Sequence, residues 1–144
     1  LDKDKNAVTA FCSRIRRIYS FQIKNLKGTM DEAELKQRNK QFSLRVMKLV
    51  AALPKSVEGK AIGSQLVRCG TSVGANYRAA CRGRSKPEFI AKLGIVEEEA
   101  DESAFWMELI IESGLVEKKR VEPLLKEANE LVAIIVASRR SATK

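Results

Sequence analysis

The sequence predicts an all-α protein, an antiparallel up-down bundle of four helices. Three observations predict it. Apolar residues recur at steps of three and four along most of the chain, which is the period of one helix face. Aromatic residues make up only 6% of the 144 residues and there are three prolines, against long stretches of Ala, Leu, Glu, Lys and Arg that favour helix over sheet. Breakers at Pro54, at residues 83–87 and at Gly114 cut the chain into helix-length pieces joined by short connections, and short connections force consecutive helices antiparallel. A hydrophobic content of 44% is enough for a single real core, so one domain accounts for the chain.

The first helix of the bundle covers residues 31–53, with Phe42, Val46, Leu49, Val50 and Leu53 on one face, and Pro54 closes it. The second covers residues 57–82, its seam being Ile62, Leu66, Cys69, Val73, Tyr77 and Ala80 at alternating steps of four and three. Gly63, Gly70 and Gly74 lie inside it, where each costs about 1 kcal/mol relative to Ala. They share one edge beside the seam, and Gly70-x-x-x-Gly74 is the spacing that lets another helix approach closely. Gly70 and Gly74 are therefore expected at a helix–helix contact and are assigned to a subunit interface; the alternative is glycine that is merely tolerated.

Ser85-Lys86-Pro87-Glu88 reads as a capping box in which Ser85 caps and Glu88 reaches back, with Pro87 in the first turn where its missing N–H is least needed. The third helix then starts at Lys86, buries Phe89, Leu93, Val96, Ala100, Met107 and Ile111, and stops at Gly114. It carries a second apolar stripe, Ile95, Trp106 and Leu109 with Ala91 alongside, which a lone four-helix monomer leaves wet. A subunit interface explains such a stripe, and cover by an N-terminal arm is the alternative. The fourth helix covers residues 117–139 with Val121, Leu124, Leu125, Ala128, Leu131, Val132 and Ile135 inward, and residues 141–144 form a basic tail.

Residues 1–30 form an N-terminal extension with two readings. Met30 is the first methionine and follows Gly28, which fits a start at the bundle itself; Val8, Phe11, Cys12, Ile15, Ile18, Tyr19 and Leu26 recur at helical spacing, which fits an amphipathic arm. Arg14, Arg16 and Arg17 would then make an auxiliary basic patch. Cys12, Cys69 and Cys81 lack metal-site or disulfide spacing and fit reduced thiols in a cytoplasm. The longest apolar run, residues 131–137, is far short of the roughly 20 residues that span a bilayer, so no membrane partner is expected.

Charge separates sharply along the chain, whose formal net charge is +9. Residues 42–87 hold nine Lys and Arg against Glu58 alone, whereas residues 88–117 hold nine acids against Lys92 alone. On the second helix Arg68, Arg78 and Arg82 project within about 80° of one another, roughly opposite the seam. Arg84 and Lys86 extend the stripe into the loop, and Arg45 and Lys48 are expected to flank it from the first helix. Arginines so arranged suit the bidentate grip of phosphate oxygens and sequence-blind contact with RNA or DNA. The competing use of the same stripe is pairing with the acidic helix of this or another subunit.

Catalysis is not expected. There is no histidine, which removes the commonest acid–base residue and the Glu-x-x-His ligands of di-iron bundles. A Glu-Glu-x-x-Glu string within residues 97–102 matches the start of a magnesium site in all-α nucleotide pyrophosphohydrolases, but the second Glu-x-x-Asp those enzymes need is absent, since no aspartate follows Asp101. A solvated or ion-paired acidic face is the simpler reading. No Walker loop or Gly-x-Ser-x-Gly elbow is present, and no cofactor or metal is implied.

Across residues 42–138 the chain resembles the small bacterial four-helix-bundle proteins encoded in intervening sequences of 23S ribosomal RNA genes, a family that includes accessory proteins of diversity-generating retroelements. The resemblance rests on Gln65-Leu66-Val67-Arg68, Thr71-Ser72-Val73-Gly74-Ala75-Asn76-Tyr77-Arg78, Ala80, Ser85-Lys86-x-Glu88-Phe89, Glu98-Glu99-Ala100-x-Glu102 and the run 124–131. It implies a homo-pentameric ring without known catalysis. In retroelement members it implies a basic surface that engages nucleic acid and a reverse transcriptase. It carries a basic-surface role to Arg68, Arg78, Arg82 and Arg84, and an interior hydrogen-bonding role to Asn76.

Overall fold

The computed structural model describes residues 30–144; the extension before them, with Cys12, Arg14, Arg16 and Arg17, lies outside the described residues. Four helices and no strands make up the described chain: α1 (Glu32–Ala51), α2 (Val57–Cys81), α3 (Lys86–Glu112) and α4 (Lys118–Thr143).

Each boundary has a local cause. Asp31 caps α1 through a complete capping box, its carboxylate accepting from the Glu34 N–H at 2.8 Å while the Glu34 carboxylate accepts from the Asp31 N–H at 2.8 Å. Ser56 caps α2 by accepting from the Gly59 N–H at 3.1 Å. Ser85 caps α3 as expected, accepting from the Glu88 N–H at 3.2 Å, but the box does not close. The Glu88 carboxylate reaches one residue further back and accepts from the Arg84 N–H at 2.8 Å, tying down the connection instead. Gly114, at φ 71°, ends α3 in a left-handed cap. The Leu115 N–H donates to the Ile110 carbonyl and the Gly114 N–H to that of Ile111, the two bonds of a Schellman motif. α4 continues four residues beyond the expected position 139, because Ala142 is buried and Ser138 lies on the same inward face.

One core runs between the helices, built on Phe42, Leu66, Tyr77, Phe89, Met107, Leu131 and Ile135. The α3 face differs from expectation at its end: Ile110 is fully buried and Ile111 only half-buried, since Ser103 and Ala104 also turn inward and shift the face by one position. α2 packs on α1 and α3, and α4 packs on α3 and, over a much shorter stretch, on α1.

The glycines of α2 shape its contact with α1. A Cβ on Gly70 would lie 2.7 and 2.9 Å from the two Val46 methyls, and Ser43 Oγ donates to the Gly70 carbonyl at 3.1 Å. Gly63 faces Val50 and Leu53, while Gly74 faces Asn39 and Ser43, so partners descend α1 as they climb α2 and the two helices run in opposite directions. Gly70 thus serves a close approach within the chain, whereas a Cβ on Gly74 would make only ordinary contact with Asn39 and Ser43 of α1. The assignment of both glycines to a subunit interface is corrected: the face they form is already occupied by α1.

Candidate nucleic-acid interface

The arginine stripe on α2 divides in two. Arg68, at the edge nearest α3, pairs with Glu102 and with Glu99 at 3.4 Å, although half its side chain stays in solvent. Those bonds raise the Arg68 pKa, the hydrogen bond that Arg68 donates to Glu102 being the main cause. The same bond, followed by one from the Trp106 indole N–H at 3.1 Å, holds the Glu102 carboxyl below its ordinary range. Arg78, Arg82, Arg84 and Lys86 are all exposed, and among the described residues none has a carboxylate partner for its side chain. Arg78 and Arg82 are one turn apart on a single face, with Cβ atoms about 5–6 Å apart, and residues 82–85 carry the charge directly to the start of α3. Arg78 and Arg82 complement the negative end of α2, whereas Lys86 stands at the positive end of α3, where a cation is not favoured.

Arg45 and Lys48 do not flank this cluster. α1 presents Asn39, Ser43, Val46 and Val50 to α2, which turns Arg45 and Lys48 toward α4, where they border a cavity with Arg120. Asn76 is not the interior polar residue either. It is half-buried and its amide donates to the Ser72 carbonyl at 2.9 Å, one turn back along α2. The interior amide belongs to Asn39, fully buried and without a hydrogen-bond partner among the described residues.

Pairing accounts for much of the acidic run on α3. Glu97 accepts from Arg139 at 2.8 Å and Glu99 and Glu102 take Arg68, which leaves Glu98 and Asp101 exposed without a partner among the described residues. No three His, Cys, Asp or Glu side chains gather into a metal-holding group among the described residues. Sequence reasoning missed Arg38, which crosses from α1 to α4. It takes Glu127 through two bonds of 2.6 and 2.9 Å and Glu130 through one of 2.6 Å, and its pKa is raised chiefly by Glu127. The Glu127 and Glu130 pair at i, i+3 was the only available signal. Burial raises the pKa of the Cys69 thiol and pushes that of Cys81 up to about 11, which disfavours the nucleophilic thiolate at both.

The second stripe on α3 is wet where its outermost groups lie. Ile95 is 37% exposed and Phe105, which the sequence reading missed, is 49% exposed. Trp106 packs edge-on against Phe105 with ring centroids 5.0 Å apart, and Trp106 and Leu109 are half-buried. α1 exposes another apolar pair, Leu44 and Met47.

Residues 31–137, which hold the whole cationic cluster and three of the four helices complete, match the family of 23S rRNA-intervening sequence proteins. The chain belongs to that family. Among solved structures it is similar to a protein of unknown function from the S23 ribosomal protein family of Bacteroides thetaiotaomicron, with a TM-score of 0.66 and 30% identity over 70% of this chain and 94% of that one. No curated protein matches it. As a 23S rRNA-intervening sequence protein the chain has, among its described residues, no helix long and apolar enough to cross a membrane.

Proposed function

We propose that this family member is a cytoplasmic, non-catalytic homo-oligomer of antiparallel up-down four-helix bundles that binds the phosphate backbone of RNA or DNA with little sequence preference. One observation carries the reading. Arg78, Arg82, Arg84 and Lys86 stand exposed together without carboxylate partners among the described residues, while Arg38, Arg68 and Arg139 are each paired. Side chains in such a cluster are available to phosphate oxygens, which fix position but carry no base information. The family's name and that of the Bacteroides relative's family both refer to ribosomal RNA or ribosomes, which favours RNA.

The apolar surface supports the proposed oligomer. A closed ring needs two different complementary faces per subunit. α3 offers Ile95 and Phe105, and α1, which like α3 packs on both α2 and α4, offers Leu44 and Met47. A ring, pentameric as the family resemblance implies, joins one face to the other.

Anisotropy titrations of two unrelated 20-nucleotide RNAs test the binding. Arg78→Gln with Arg82→Gln should weaken both about tenfold at 0.15 M salt, since each lost phosphate contact removes about 0.7 of a counterion. Loss confined to one sequence, or no loss, contradicts the reading. The exposed Glu98 and Asp101 support a second reading, a protein scaffold in which they meet the cationic cluster of another copy. That reading requires high salt to dissociate the oligomer, whereas nucleic-acid binding requires salt to release the RNA and leave the oligomer whole.

A further inference from the structure

Where α1 and α4 part, a cavity of about 220 Å³ opens between Arg45, Lys48, Leu49 and Ala52 on one side and Arg120 and Leu124 on the other. Its floor is apolar, with Leu49 and Leu124 buried, and its rim holds three cations from two helices. None of the three has a carboxylate partner among the described residues. The nearby acids are engaged elsewhere: Glu122 by Lys118 at 3.7 Å and Glu117 by Lys119 at 3.2 Å. In the free protein this grouping is adverse. Like charges face one another across a concave surface, and Arg120 adds a third positive charge to the first turn of α4, which contains no acid to balance the helix dipole.

We infer that this cavity binds a phosphate monoester. Three cations exceed what a singly charged phosphodiester neutralises and match a dianionic terminal phosphate, which two guanidinium forks can grip at once. The apolar floor accommodates the carbon side of the ester. The site is separate from the cluster at residues 78–86: Arg45 adjoins Val46, which packs on Gly70, and Arg82 lies twelve residues further along α2, about 18 Å by helical rise. The inference rests on the nucleic-acid reading in one respect only, that the phosphate is the 5′ end of a bound strand and not a free small molecule.

Calorimetry with inorganic phosphate, and anisotropy with a 12-nucleotide RNA carrying a 5′-phosphate or a 5′-hydroxyl, test it on the full chain. Lys48 also complements the end of α1, so the variants are Arg45→Gln and Arg120→Gln, with thermal melts confirming the fold and Arg45→Lys retaining part of the binding. Wild type should bind inorganic phosphate, and either variant should bind it at least tenfold more weakly, while Arg78→Gln with Arg82→Gln leaves it unchanged. The 5′-phosphate should tighten RNA binding about tenfold, and this advantage should vanish in the Arg45 and Arg120 variants. If phosphate binds as stated but neither RNA binds, the pocket stands and the nucleic-acid reading falls. If RNA binds while inorganic phosphate does not, or binds the variants equally well, the pocket falls and the nucleic-acid reading stands.

Discussion

Arg68 and Arg78 are ten residues apart on α2 and stand in opposite surroundings. Arg68 leans to α3 and is held by Glu99 and Glu102, whereas Arg78 stands clear of any acid among the described residues. Because Arg68 depresses the Glu102 pKa in the folded state, the pair stabilises the fold above the ordinary carboxylate range, near pH 4.3, and that stabilisation is lost as pH falls through the depressed value. Melting midpoints measured from pH 6 to pH 3 should therefore fall less steeply in Arg68→Gln than in wild type. RNA affinity should suffer less in Arg68→Gln than in Arg78→Gln, and the reverse order would show that Arg68 is a contact. The sequence shows that these arginines share one side of a helix, because 3.6-residue periodicity is local. Which of them meets an acid depends on how α3 lies against α2, a tertiary fact that periodicity does not contain.

At the scale of the helices, two glycines separate close packing from tolerance. Gly94→Ala places a methyl in open space within α3 and should stabilise the protein by about 1 kcal/mol through helix propensity. Gly70→Ala gains the same propensity but drives a methyl into buried Val46, and overpacking of about 1–3 kcal/mol should make it neutral to destabilising. Denaturant midpoints decide both, and a stabilised Gly70→Ala would contradict the close α1–α2 approach. The start at Ser85 and the stop at Gly114 depend on residues within four positions, which is why that cap and that breaker were readable in the chain. The contact of Arg38 with Glu127 joins residues 89 positions apart and was not. Arg38→Met, which leaves Glu127 and Glu130 facing each other without a cation, should lower stability by about 1 kcal/mol, read by the same midpoints.

For the whole molecule, the separation of basic and acidic segments is partly an internal affair: Arg68 and Arg139 consume three of the α3 acids, and part of the charge left over stands at residues 78–86 and around the α1–α4 cavity. The proposed assembly draws on different surface. Ile95→Glu and Phe105→Glu alter exposed groups and should reduce the mass measured by light scattering without lowering the melting midpoint of the subunit; an unchanged mass would remove the α3 stripe from the interface. The claim on which the functional account depends is that the exposed cluster of Arg78, Arg82, Arg84 and Lys86 is what neutralises nucleic-acid phosphates. The most direct test is the slope of log affinity for single-stranded RNA against log salt, in wild type and in a variant with all four residues changed to Gln. The account predicts that the slope flattens by about 3, four contacts at about 0.7 each, with the oligomer intact; a slope that does not change would contradict it.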